Sequence, residues 1–259
     1  MFSFLKSKPV LSENDRNFQL ETYKWLFRNF GAEEFHENTI LVLPTREHFP
    51  QSVSSQESAA IATFESVKKH AGMEEWECEL KKQEENIDPV VAETLVVQNA
   101  PQDPQGTFSV GLDDKVVITY DPSIVTNPTN LVATFAHELA HYLTATSEEP
   151  PPGGWDNWEF VTDIAAVFMG FGIFLANSAF TFNQYHSDSM QGWQTQRSGY
   201  LSEAEYAYAL AIFAGLKGIE PSIPVKFLDK NIKVLFKKSI KEIQKLDLLS
   251  KIVVKSDVD

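Results

Sequence analysis

Cysteine is nearly absent from this chain, and its scarcity argues against one class of proteins. Cys78 is the only cysteine among the 259 residues, so no disulfide can form within the chain. A fold stapled by disulfides, as in many small secreted proteins, is therefore excluded. The opening residues MFSFLKSKPV contain no apolar run of signal-peptide length. Together these features predict a cytoplasmic protein.

Basic residues are missing from the middle of the chain. Between residues 116 and 196 there is no lysine or arginine, although the same window contains eight aspartates and glutamates. The whole chain carries a net charge of -14. Because binding to phosphate backbones needs clustered Lys and Arg, this balance argues against nucleic acid as a partner.

The C-terminal tail has the opposite charge. Residues 220–259 hold nine lysines against six acidic residues, whereas residues 1–219 carry a net charge of -17. Within the tail, residues 226–255 form a basic amphipathic stretch. This pattern is typical of a solvent-exposed helix face, and docking on an anionic membrane or on the acidic half of the chain is the alternative.

Long hydrophobic runs are scarce, with one exception. The stretch FVTDIAAVFMGFGIFLANSAFTF, residues 160–182, is long enough to span a bilayer. However, Asp163 and Asn177 fall inside it, and no Lys or Arg flanks it. We therefore interpret it as a buried core helix, with a membrane-associated protein as the alternative.

The apolar spacing predicts an α+β fold whose strands lie in the N-terminal part, residues 1–127. Residues 107–112 and 115–120 have the pattern of a hairpin, with two aspartates at its turn. The other elements expected in this part are helices at 12–30 and 55–70 and short strands at 39–44, 76–80 and 94–98.

Residues 128–259 are expected to be helical and to form one continuous unit with the first part. Asn127 and Pro128 are typical of a helix cap and a first helical turn, so a helix begins there. Further helices are predicted at 158–179, 202–216 and 228–246.

The helix that begins at Asn127 carries the sequence His-Glu-Leu-Ala-His at residues 137–141, which is the pattern HExxH. Residues four apart lie on nearly one face of a helix, so both imidazoles can reach a single metal ion. Glu138 lies beside them, where it can activate a water molecule as a general base. Two packed helix histidines without chemistry are the alternative interpretation.

A catalytic zinc needs a third protein ligand, and the following sequence offers a carboxylate. A third histidine six residues after the second is excluded, because Ser147 occupies that position. Glu159 lies on the next predicted helix, and Asp163 follows one turn later on the same face. Glu159 is the predicted ligand, and Asp163 is predicted to accept the second N–H of a histidine ligand. Asp156 and Glu149 are the alternative ligands.

On these residues the sequence resembles the gluzincin clan of zinc metallopeptidases. That clan combines HExxH with a Glu on a following helix and an Asp four residues after that Glu. The resemblance covers residues 115–168 at most and implies a zincin-like fold with a small sheet beside the active-site helix. The roles that it implies are zinc ligand for His137, His141 and Glu159, general base for Glu138, and hydrogen-bond partner of His137 for Asp163.

The clan also places a His or Tyr after the Glu ligand, where it stabilises the transition-state oxyanion. By this resemblance His186 is the preferred residue, since no other histidine follows the motif. Tyr185, Tyr200 and Arg197 are the other candidates, and a solvent-exposed loop histidine without a role is the alternative interpretation of His186.

The predicted function is zinc-dependent hydrolysis of peptide bonds in a peptide or protein substrate. An acidic cleft would favour cationic or neutral peptides. One alternative is a non-catalytic metal-binding protein that acts in regulation or interaction. Another is a membrane-associated metallopeptidase. The presence of Glu138 favours activity, because a glutamate at that position has no structural duty at zinc.

Overall fold

A computed structural model describes residues 8–50, 55–83, 105–111, 115–187 and 201–252, with residues 180–187 described by their backbone alone. Most of these residues are helical, and three short strands form one sheet, so the predicted α+β class is confirmed. The elements are α1 (Glu13–Phe30), α2 (Ala32–Glu37), α3 (Gln56–His70), β1 (Cys78–Lys82), β2 (Gly106–Val110), β3 (Val116–Tyr120), α4 (Pro128–Ala145), α5 (Trp158–Ala166), α6 (Gly172–Ser187), α7 (Glu203–Leu216), α8 (Ser222–Val225) and α9 (Lys230–Lys245).

Four helices, α1, α3, α4 and α7, begin at a residue whose side chain caps them. Ser12 precedes α1 and its side chain accepts a hydrogen bond from the backbone N–H of Asp15. Asn127 precedes α4 and accepts from the N–H of Asn130, while Pro128 occupies the first turn, where its missing N–H costs nothing. Both predicted helix starts are therefore confirmed.

The sheet has the order β1-β3-β2, with β3 in the middle. β1 runs parallel to β3 and pairs Cys78 with Val116, and β2 runs antiparallel and pairs Phe108 with Ile118. The predicted hairpin is thus confirmed in its two strands, and its turn at 112–114 lies outside the described residues. The predicted strand at 94–98 also lies outside them.

Helix α4 lies at the centre of the core. The ring of Phe135 meets Phe64 of α3 at 5.2 Å and Tyr120 of β3 at 5.8 Å, and it is fully buried. Leu139 and Ala140, on the same helix, are also fully buried. The segment with HExxH is therefore held by packing on several sides.

The N-terminal and C-terminal parts share one hydrophobic core. Tyr23 of α1 donates a hydrogen bond to the carbonyl of Ala209 on α7, at 2.9 Å, and is fully buried. Gln19, one turn earlier, donates to the carbonyl of Glu205 at 2.8 Å. Helix α1 therefore packs within the C-terminal helices.

The predicted helix at 158–179 is interrupted. A wide π-helical turn spans Val167–Phe171, between α5 and α6, and Gly170 within it has a φ of 101°. The break lets the carbonyl of Gly170 accept a hydrogen bond from the N–H of Val42, at 3.0 Å. The predicted strand at 39–44 is therefore wrong: this extended segment packs against the wide turn and pairs with no strand of the sheet.

One helical stretch, Trp155–Ala179, is long and apolar enough to cross a membrane. In this fold 94% of its most apolar window is buried inside the protein. Such burial is typical of a core helix, which agrees with the interpretation that the sequence favoured.

We expect Gly170→Ala to lower the free energy of unfolding by about 3 kcal/mol, because a Cβ there would combine a positive φ with a clash against the carbonyl oxygen of Ile40. Gly72→Ala is the matched control: its φ of 69° is also positive, but a Cβ would meet nothing within 4 Å. The control should cost only about 1 kcal/mol. Urea unfolding of both variants measures the difference, and equal losses would contradict the explanation.

Candidate metal centre

Helix α4 brings two imidazoles together one turn apart. The rings of His137 and His141 have centroids 4.6 Å apart, and their Nε2 atoms lie 3.1 Å apart. Both residues are buried, with 3% and 7% of their surface exposed. The i, i+4 spacing of the motif therefore brings the two nitrogen atoms close enough to bind one metal ion, as predicted.

Helix α5 adds a carboxylate at the same point. The Oε2 atom of Glu159 lies 3.2 Å from Nε2 of His141 and 3.5 Å from Nε2 of His137. The Glu159 side chain is 47% exposed, so the cluster is closed on the histidine side and open on the glutamate side. The three residues form the group of potential metal ligands in the described part of the chain.

The spacing of these donor atoms fits one four-coordinate metal ion. Zinc at about 2.0–2.1 Å from each donor in a tetrahedral arrangement requires donors about 3.3 Å apart. The three observed separations are 3.1, 3.2 and 3.5 Å. Three protein donors also leave one position of such an ion free.

The opposite nitrogen of each imidazole is fixed by its own partner. Nδ1 of His137 lies 2.9 Å from Oδ1 of Asp163, and Asp163 is completely buried. Because the carboxylate accepts, Nδ1 carries the hydrogen, and Nε2 is the nitrogen that would bind a metal once it is deprotonated. The other oxygen of Asp163 accepts a hydrogen bond from the backbone N–H of Leu201, at 2.8 Å. Asp163 thus holds His137 and the start of α7 together.

Sequence reasoning missed the corresponding partner of His141. Nδ1 of His141 lies 3.3 Å from the hydroxyl oxygen of Thr162, which is fully buried. Thr162 is one residue before Asp163 and three after Glu159. Its position on the same helical turn could have indicated a contact with the second histidine.

The charges in the cluster are coupled. Burial alone would lower the pKa of His137, but its hydrogen bonds with Asp163 and Glu159 outweigh burial and raise that pKa well above its usual value. For Glu159, burial would raise the pKa, but the hydrogen bonds with both histidines hold it well below its usual value. The three donors therefore stabilise positive charge between them, and a bound divalent cation would provide that charge.

Glu138 lies beside the cluster and is only 4% exposed. Burial raises the pKa of its carboxyl group, and the nearby histidines offset part of that rise. Strand β2 passes close to this carboxylate: a Cβ at Gly106 would lie 3.1 Å from its Oε1 atom and 2.6 Å from the methyl carbon of Thr134. Gly106, which sequence reasoning also missed, therefore allows the strand to approach the proposed base.

Aromatic rings surround His141. The ring of Phe108 on β2 stacks on it at 6.2 Å, and the ring of Trp158 meets it edge-on at 4.9 Å. Trp158 also donates a hydrogen bond to the hydroxyl of Thr144, at 2.8 Å. Trp155, which contacts Trp158, is 53% exposed. Trp158 therefore supports the cluster, while Trp155 remains available at the surface.

The other candidates from the sequence are not part of this group. Glu149 lies 3.6 Å from Arg28 in a surface ion pair, and the exposed Asp156 is outside the described ligand group. The side chains of Tyr185 and His186 and the whole of Tyr200 and Arg197 lie outside the described residues. The oxyanion donor therefore stays a prediction.

Comparison with known proteins adds no relative. No protein-family model matches the chain, and no curated protein or solved structure is significantly similar to it.

We expect Asp163→Asn to weaken zinc binding about 10- to 100-fold, because the amide no longer offers His137 a charged acceptor. Competition with a chromogenic chelator measures the affinity. Thr162→Ser is a mild control that keeps a hydroxyl near His141. Unchanged affinity in a variant with native circular dichroism would contradict the role given to Asp163.

Proposed function

We propose that this protein is a zinc-dependent metallopeptidase of the gluzincin type. The observation that carries the proposal is the convergence of His137, His141 and Glu159 on one point, with Glu138 buried beside it. Of the common metals, zinc is favoured by two imidazoles and one carboxylate. The fully buried Asp163, four residues after Glu159 and bonded to His137, adds the fourth element of the gluzincin pattern.

The position of the sheet supports the same class. In the sheet that the structure describes, β2 is an edge strand and passes beside α4. Its Gly106 lies near Glu138, and the ring of its Phe108 stacks on His141. A small sheet alongside the HExxH helix, followed by a glutamate helix, is what the gluzincin resemblance implies. We therefore extend the proposal to a zincin-like fold.

Each side chain has a definite task in peptide hydrolysis. When bound by the three donors, zinc would lower the pKa of a water molecule and polarise the substrate carbonyl. The Glu138 carboxylate would take a proton from the attacking water and deliver it to the nitrogen of the leaving amine. Without the metal, burial raises the pKa of this carboxyl group, which favours its acceptance of the proton.

The open side of the cluster is where a substrate would enter. Glu159 is half-exposed there, and the exposed Trp155 lies three residues before the start of α5. No lysine or arginine occurs between residues 116 and 196, so the segment that supplies all three donors brings acidic but no basic side chains to the opening. Peptides with neutral or cationic side chains are therefore the proposed substrates.

Glu138→Gln should retain one zinc per chain and lose about 10²- to 10⁴-fold in the rate of peptide cleavage, because the amide cannot accept a proton. Glu148→Gln, at an exposed residue of the following loop, is the matched control and should keep both properties. Metal analysis and a broad peptide library give the two readouts. A second variant, His137→Ala, should lose zinc.

Three results would overturn this proposal. If the wild-type protein contains no bound zinc, or if the His137→Ala variant still binds zinc, the proposed metal site is wrong. Zinc binding without cleavage of any library peptide would favour the alternative of a non-catalytic metal-binding protein.

Gly106→Ala should lower the cleavage rate by about 10- to 100-fold while zinc stays bound. The added methyl group would crowd Thr134, the backbone carbonyl of Thr119 and the Glu138 carboxylate, and so shift the strand and the proposed base relative to each other. The nearest atom to that methyl would be the side-chain methyl of Thr134. The double variant with Thr134→Ser should therefore recover part of the rate. Thr134→Ser alone is the control, and an absence of rescue would indicate general damage to β2.

A further inference from the structure

Helix α9 has one face that the fold does not use. Its residues Ile232, Phe236, Ser239 and Ile243 point inward and are at most 2% exposed. At 100° per residue, the opposite face gathers five lysines within an arc of about 100°. This lysine stripe consists of Lys230, Lys237, Lys238, Lys241 and Lys245, all of which are exposed.

The lysine stripe has no counter-charge in the part of the chain that the structure describes. None of its five members takes part in an ion pair there. Glu242 is the one acidic residue of α9, and its carboxylate is turned toward α1, where it accepts from the N–H of Val10 at 2.9 Å and lies 3.5 Å from Arg16. Asp229 and Asp247 lie just beyond the two ends of the helix. The outward face of the helix itself is thus purely basic.

The same face exposes an aliphatic side chain. Val234 lies in the middle of the arc and is 51% exposed. A lipid interface accommodates both features, since lysines reach the headgroups while a short aliphatic group contacts the acyl boundary. A phosphate backbone offers nothing to the aliphatic group.

The choice of lysine also favours a fluid anionic surface. Shaped recognition of one carboxylate or phosphate generally uses the planar fork of arginine, and the stripe contains none. Lysine is a compact point charge, and it needs no fixed partner geometry to be attracted by the diffuse field of mobile anionic lipids. Each lysine near such a surface contributes independently.

The remaining charge would orient the molecule. Residues 1–219 carry a net charge of -17 and are repelled by an anionic surface, whereas the tail that contains α9 is net positive. The face with the stripe is therefore the one whose charge favours approach. Because α9 is packed into the core by its buried residues, the face is rigid and does not need to fold on binding.

From these contacts and charges we propose that the lysine stripe of α9 docks the protein reversibly on an anionic phospholipid surface, without insertion of a spanning helix. The docking is independent of the proposed peptidase activity, since the stripe shares no residue with the metal centre.

The test is sedimentation of the full-length protein with vesicles of phosphatidylcholine alone or with 30% phosphatidylserine. We expect binding only to the anionic vesicles, weakening as salt rises from 50 to 300 mM. The variant Lys237→Gln, Lys241→Gln, Lys245→Gln should bind roughly 100-fold more weakly, at about fivefold for each lysine. The control variant Lys69→Gln, Lys81→Gln, Lys82→Gln makes the same change in net charge on α3 and β1 and should bind like wild type.

Several outcomes would overturn the proposal. One is the absence of phosphatidylserine-dependent sedimentation at 50 mM salt. Equal losses in the two triple variants would show only a net-charge effect. If the protein does not bind vesicles but binds polyglutamate or a DNA duplex through the same three lysines, the partner is an acidic macromolecule. Lysine-dependent self-association without vesicle binding, seen by analytical ultracentrifugation, would assign the stripe to a second copy of the chain.

Discussion

The hydrogen bond between His137 and Asp163 is the contact on which the candidate site depends. It joins α4 to α5, and the second oxygen of Asp163 joins both to the chain before α7 through Leu201. A fully buried carboxylate is costly unless both of its oxygens are satisfied, and here each has a partner. The same bond sets which nitrogen of His137 is available to a metal. One residue therefore fixes the assembly of three helices and the chemistry of a ligand.

Much of the site could be predicted from the sequence because it depends on short-range spacing. The interval between His137 and His141 and the interval between Glu159 and Asp163 are both one helical turn, so each pair shares a face whatever the rest of the fold does. Glu159 could be preferred over Asp156 and Glu149 as the third ligand because it lies on the predicted helix after the motif. The zinc identity and the peptidase activity stay predictions, since no related protein bears on them.

The parts that the sequence did not predict are contacts between distant segments. Gly106 and Phe108 reach Glu138 and His141 from a strand that is about thirty residues away along the chain, and nothing in their local pattern indicates it. The segment 39–44 has the composition of a strand, but its Val42 donates its N–H to the carbonyl of Gly170 in a wide helical turn, and the segment pairs with no strand of the sheet. Local propensity was overridden there by a tertiary partner that the sequence does not reveal. The oxyanion donor, by contrast, falls on side chains outside the described residues.

The asymmetric exposure of the three donors has a kinetic meaning. Both histidines are buried in the core, while Glu159 is half-exposed on the solvent side. A metal ion held by this group could leave toward solvent once the surface carboxylate turns away and the bonds to the two imidazoles break, while the imidazoles keep their own hydrogen bonds. Exchange of the ion with solvent would then not require the core to open. The empty and loaded forms would accordingly interconvert within the native state, with the apo protein retaining its fold.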